Sequence, residues 1–164
     1  MPIEFDIKIT SKDMYRFNMY HAYTGFHGIF ATVFGIAVIV VACVTVETVE
    51  TMYTMLYLLF GCIFMVYMPI SLLLRSKRQV LASPALRETL HYRVDGKGVH
   101  VSQNGQTATL EWKQVYRVRA TKSNLLIYSS RVNAYVIPRV AIGGKFEEVA
   151  KLAKTKLEKY RIKI

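Results

Sequence analysis

Two apolar runs, residues 26–46 and 52–74, leave few folds open to this chain, because neither contains Lys, Arg, Asp or Glu. A helix of about 20 residues rises about 30 Å, the depth of a bilayer's hydrocarbon layer, so each run is long enough to span one. Only Glu47-Thr48-Val49-Glu50-Thr51 lies between them. Two helices joined so tightly must fold back on each other as a hairpin. The alternative, a single very long soluble helix, would leave both runs facing water. A cleaved signal fits poorly, since the first run starts late, follows a segment without net positive charge and is followed at once by a second run.

Charge orients the hairpin. The connecting loop has two acids and no base, whereas Lys8, Lys12 and Arg16 precede the first run and Arg75, Lys77 and Arg78 follow the second. The bias of Lys and Arg toward the cytoplasmic side predicts that both termini lie there. Tyr15, Phe17, Tyr20 and Tyr23 before the first run, and Tyr53 and Tyr57 at the start of the second, suit the headgroup layer. His27, at the edge of the first run, is the only ionisable acid or base in either, which argues against an ion or proton pathway. Gly28, Ala31, Gly35 and Ala42 form a stripe of small residues at helical spacing. Its expected partner is either the second run, through Gly61, or a second copy of the chain. Pro69 is expected to bend the second helix.

The formal net charge of +11 sits wholly beyond the hairpin: residues 75–164 hold 10 Lys and 9 Arg against 6 acids. Such a surface attracts phosphates, and beside a bilayer the nearest are anionic headgroups. After Pro84 the pattern turns from helical to alternating. Strands are expected at residues 88–95, 99–103, 107–112, 115–121, 125–129 and 134–137, with Asp95-Gly96-Lys97-Gly98 and Asn104-Gly105 as turns. Short strands at this spacing predict an antiparallel barrel or sandwich. A helix over residues 145–160 follows, with Phe146, Val149, Ala150, Ala153, Leu157 and Tyr160 on one face, closing the open end of the barrel. Ile3, Phe5, Ile7 and Ile9 alternate in the N-terminal stretch, and a lone strand is unstable in water. Residues 1–10 are therefore expected to join the cytoplasmic sheet. A short helix over residues 11–25, capped by Thr10 or Ser11 and favoured by Asp13, leads to the hairpin of residues 26–74. Residues 84–164 form the cytoplasmic domain into which the hairpin is inserted.

Enzyme signatures are absent: the chain has no HExxH, no GxSxG, no phosphate-binding glycine loop and no zinc spacing. Cys43 and Cys62 lie in separate apolar runs, and no catalytic residue, metal ligand or cofactor site is expected. His91 and His100 can meet across neighbouring strands, but packing or surface roles account for them. Trp112 reads as a core residue. One constellation suggests binding. In Tyr116-Arg117-Val118-Arg119-Ala120 the two arginines project to one side of a strand, and Arg93, Lys113, Arg131 and Arg139 can lie nearby. The six make either a patch for anionic headgroups or an acidic partner, or a solvated basic face. Nucleic acid is not expected, for want of a recognition helix or stacking platform.

Lys12-Asp13-Met14-Tyr15-Arg16-Phe17, the two apolar runs, Tyr92-Arg93-Val94-Asp95-Gly96-Lys97-Gly98-Val99, Leu110-Glu111-Trp112 with Val115, and Ala134-Tyr135-Val136-Ile137-Pro138-Arg139 together resemble the YcxB-like family of bacterial membrane proteins. The resemblance implies a multi-pass protein of the bacterial inner membrane. Its C-terminal domain would be pleckstrin-homology-like, a bent antiparallel barrel closed by one helix. It carries no reaction and no catalytic residues. The expected function is a non-enzymatic, membrane-tethered interaction or regulatory module, contacting membrane lipids and binding a protein partner or itself; an immunity protein is one version. The alternative is a sensor of anionic lipid headgroups.

Overall fold

The computed structural model describes residues 2–164, an α+β chain with two long apolar helices and two four-stranded sheets. The chain divides into two compact units. One is residues 15–77; the other joins the N-terminal stretch through Met14 to residues 78–164.

In the helical unit, α2 (Phe26–Val44) and α3 (Thr51–Ala82) are each long and apolar enough to cross a membrane. They pack where both lack side chains. A Cβ at Gly35 would stand 3.3 Å from the Gly61 carbonyl oxygen, and one at Gly61 would stand 3.2 Å from that of Gly35. Phe34 and Phe64 meet edge to face beside this point, 5.1 Å apart. At Gly35 the small-residue stripe therefore meets the second helix of the same chain, whereas Gly28 lies against the Ala22 carbonyl. α3 runs unbroken through Pro69 and extends past the apolar run to Ala82. α1 (Ser11–Thr24) precedes the pair, and its Asn18 donates to the buried Ser76 hydroxyl at 2.8 Å.

The other unit starts with β1 (Ile3–Ile7), which lies antiparallel to β2 (Leu90–Val94), with Phe5 opposite Tyr92. Between α3 and β2 lies the one-turn α4 (Pro84–Arg87). β3 (Gly98–Gln103) and β4 (Gln106–Glu111) complete the first sheet in the order β1-β2-β3-β4. Asn104 (φ 49°) and Gly105 (φ 78°) close the β3–β4 hairpin. Both values are positive, as a two-residue turn matched to the strand twist requires. Gly98 has a different reason: a Cβ there would lie 2.3 Å from the Leu110 carbonyl oxygen of the neighbouring strand. The second sheet has the order β7-β6-β5-β8, built from β5 (Arg117–Ala120), β6 (Asn124–Tyr128), β7 (Ala134–Pro138) and β8 (Ile162–Lys163). Every residue of β6 is buried. Tyr92 of the first sheet meets Tyr135 of the second edge to face at 6.3 Å. After the one-turn α5 (Arg139–Ile142), α6 (Phe146–Lys156) buries Phe146, Val149, Ala150 and Ala153.

Two expectations need correction. The sheets do not close into a barrel, because β4 and β5 do not pair. Glu111 and Gln114 box the ends of a 3-10 turn over Trp112–Gln114, which takes the chain out of the first sheet. The terminal helix stops at Lys156 rather than Tyr160; Leu157 is extended, and Tyr160 is 77 % exposed instead of lying on the packed face. The chain then returns as β8, parallel to β5, with Ile162 opposite Val118. His91 stands opposite Ser102 and contacts Asp6, while His100 stands opposite Arg93 and contacts Asp95.

Candidate anion-binding cleft

β5 leaves its neighbours by alternation, so Val118 is fully buried while Arg117 and Arg119 emerge on the other side. Arg117 pairs in register with Tyr128, and its guanidinium lies over the Tyr128 ring, 4.4 Å from the centroid. Tyr128 is itself fully buried, so the platform is fixed. Lys113 is brought alongside by the boxed 3-10 turn, whose end is anchored by the buried Val115. Arg161 arrives from the opposite end of the sequence, on a 3-10 turn over Lys159–Arg161 that precedes β8. It donates to the Val115 carbonyl at 3.3 Å and to the Tyr160 hydroxyl at 3.2 Å.

Together Lys113, Arg117, Arg119, Ser129, Tyr160 and Arg161 line an open cleft of about 530 Å³ whose walls include no carboxylate. Among the described residues none of its four cations has a carboxylate within ion-pair distance; the nearby Glu158 lines a different cleft. The Nε of Arg117 is buried and has no hydrogen-bond partner. Four cations around one concavity, of which Arg161 also feels the charge of Glu158, focus positive potential into it. That second cleft, of about 460 Å³, shares Lys113 and Arg161 but also contains Glu111 and Glu158, so its charges are mixed.

The other basic residues singled out from sequence lie elsewhere. Arg93 sits on β2 between Glu4 (3.9 Å) and Asp95 (3.6 Å). Arg139 covers the Phe146 ring at 3.9 Å and reaches the Thr121 carbonyl at 3.5 Å. Arg131 is exposed in the β6–β7 turn. Arg161, Tyr160 and Ser129 were not anticipated. The only signal for Tyr160 and Arg161, a two-residue strand after a helix, is too short to show a period, and Ser129 closes the strand expected over residues 125–129 with no charge to mark it.

Acid–base chemistry elsewhere is structural. Burial works against the Asp95 carboxylate, but hydrogen bonds from the Lys97 and Gly98 amides and from His100 outweigh it and hold its pKa below the usual value. The Asp95 carbonyl accepts from the Trp112 indole at 2.8 Å, tying the turn to the core. His91 contacts Asp6 at 2.7 Å. Burial, with Tyr135 adding to it, pushes the Tyr92 phenol well above its ordinary pKa. No group of three or more metal-ligating side chains occurs among the described residues. In the helical unit Gly28, Gly35, Ala42 and Gly61 are buried and Ala31 is half-buried.

No curated protein and no solved structure matches the chain. A protein-family model does: residues 94–154, from the end of β2 through most of α6 and including Lys113, Arg117 and Arg119, match the family described as YcxB-like protein.

Proposed function

We propose that the protein is a non-enzymatic recognition module anchored in the bacterial inner membrane by the α2–α3 hairpin, with both termini and the β-rich unit on the cytoplasmic side. The observation that carries this reading is the outward face of the hairpin. Phe30, Val33, Leu59, Ile63 and Val66 are exposed along helices whose apolar runs contain no charge. In water that surface would cost about 25 cal/mol for each Å² left wet, and lipid removes the cost. The acid-only loop and the basic flanks support the orientation. Two facing sheets followed by one packed helix support a pleckstrin-homology-like reading of the β-rich unit, in an open form. The module would bind a protein partner or a second copy of itself, an immunity role being one version. α3 meets the small-residue stripe at Gly35, so a second copy would dock away from that point.

The test is in two parts. Membrane fractionation, with an impermeant thiol reagent applied to Glu47→Cys and Lys8→Cys in a background without native cysteines, should label only Glu47→Cys from outside intact spheroplasts. Extraction of the protein by alkaline carbonate would end the anchored reading. Crosslinking and gentle purification from native membranes, with mass spectrometry of protein and lipid, should then recover a stoichiometric partner or a discrete homo-oligomer. The acid-free cleft favours one second reading, recognition of anionic headgroups. Recovery of a bare monomer with enriched anionic lipid would support it.

A further inference from the structure

A buried guanidinium N–H without an acceptor is costly, by about 1–3 kcal/mol in typical cases. The protein tolerates one at Arg117 in a concavity it shares with three further cations and no acid. Both features suit one ligand, an anion with several acceptor oxygens. We propose that the cleft is a binding site for a dianionic phosphate group, free or carried as a monoester. Its two central ligands would be Arg117 and Arg119, with Lys113 and Arg161 closing the rim. This rests on the recognition-module reading of the β-rich unit but not on membrane insertion.

The chemistry selects phosphate over carboxylate. A carboxylate offers two oxygens and one charge, enough for a single arginine fork, and would leave three cations repelling one another. A phosphate monoester offers three terminal oxygens and nearly two charges near neutral pH. Arg117 and Arg119 are two residues apart on one side of β5, so their planar forks approach the same space. Stacking on Tyr128 limits the freedom of the Arg117 fork, and an anion drawing that fork outward supplies the acceptor Nε lacks. Lys113 is exposed and contributes as a point charge from the rim. Arg161 is held by the Val115 carbonyl and the Tyr160 hydroxyl. The C-terminal return is therefore part of the site.

The full chain, purified in a neutral detergent, should be titrated calorimetrically with inorganic phosphate at constant ionic strength, with chloride as comparator. Saturable phosphate binding is expected. Arg119→Gln and the surface change Lys113→Gln should each weaken it about tenfold, as loss of a charge-assisted hydrogen bond does. Arg131→Gln removes the same charge outside the cleft and should leave affinity unchanged. Emission from Trp112, the single tryptophan, reports whether each variant stays folded. Two outcomes overturn the proposal: no saturable binding beyond chloride, or equal weakening by Arg131→Gln and Lys113→Gln. Nanodiscs of phosphatidylcholine with and without phosphatidic acid separate the sources. Loss of phosphate binding when phosphatidic acid is present identifies a headgroup ligand, and unchanged binding identifies a soluble phosphorylated one. If partner purification fails while phosphate still binds, the module reading is wrong about partners but the site stands.

Discussion

The two units use apolar residues in opposite senses. In the β-rich unit Leu126 and Ile127 are 0 % and 1 % exposed, in a strand covered on both faces. In the helical unit Phe30 and Leu59 are each 56 % exposed, although their surroundings in sequence are more apolar still. What α2 and α3 bury is small: Gly28, Gly35, Ala42, Thr54, Gly61 and Ser76. In the first unit burial of large side chains excludes water. In the second, close backbone approach holds two helices together while large side chains face out, as association inside a lipid solvent favours. Hydropathy by itself therefore does not say which residues form an interior; it must be read with side-chain size and with the medium the outer face meets.

The sharpest way to break that contrast is to make the same truncation in both units. Ile127→Ala should lower stability by about 2–5 kcal/mol, the cost of lost burial plus a cavity. Leu59→Ala should stay within about 0.5 kcal/mol in detergent, as surface changes do. Denaturant midpoints followed by Trp112 emission and by helical circular dichroism would show both. Equal losses would mean that Leu59 faces an interior. A smaller effect, about 1–3 kcal/mol by overpacking, is expected for Gly61→Leu, whose Cβ would already lie 2.5 Å from Ile39 Cγ1. Its signature is local: disulfide trapping between Phe34→Cys and Phe64→Cys, with Cys43 and Cys62 changed to Ser, should fall while phosphate binding is kept. Thr10→Ala should cost about 1 kcal/mol by removing the cap on α1. The Thr10 hydroxyl accepts the Asp13 amide at 3.2 Å and Asp13 Oδ2 accepts the Thr10 amide at 3.1 Å. Loss of helical signal at the first turn, measured by amide exchange at residues 13 and 14, would register it.

Which parts of this were legible depends on whether the governing contact is local. The two long helices were, because each is a continuous run without charge, and so were the Asn104–Gly105 hairpin and the shared side of Arg117 and Arg119. The α+β class follows from the switch between periods at Pro84. The open arrangement of the sheets did not, since consecutive strands normally pair and only the Glu111–Gln114 box diverts the chain before β5. The same limit applies to the cleft. Arg93, Arg131 and Arg139 are close to Arg117 in sequence pattern but are placed on another sheet, a turn and a helix start. Arg161 reaches it through a parallel pairing 44 residues away, Val118 with Ile162, which no local periodicity encodes.

An effect of the same size as that of Thr10→Ala is expected at Asp95, and it tests whether the turn between β2 and β3 is structural. Its carboxylate accepts from the Lys97 and Gly98 amides at 2.8 and 3.2 Å and contacts His100 at 3.2 Å, with Arg93 at 3.6 Å. Asp95→Asn keeps the shape and one acceptor oxygen but removes the charge, so about 1 kcal/mol should be lost at neutral pH. The sign with pH follows from a folded pKa below the ordinary aspartate value of 3.8. The unfolded chain binds the proton first, so the contribution is complete above that value and declines as pH falls through the lower folded pKa. The gap in urea midpoint between the native protein and Asp95→Asn should thus be constant from neutral pH down to about 5 and shrink only in stronger acid. A gap that instead closed between neutral pH and about 5 would mean that the Asp95 carboxylate does not carry the effect.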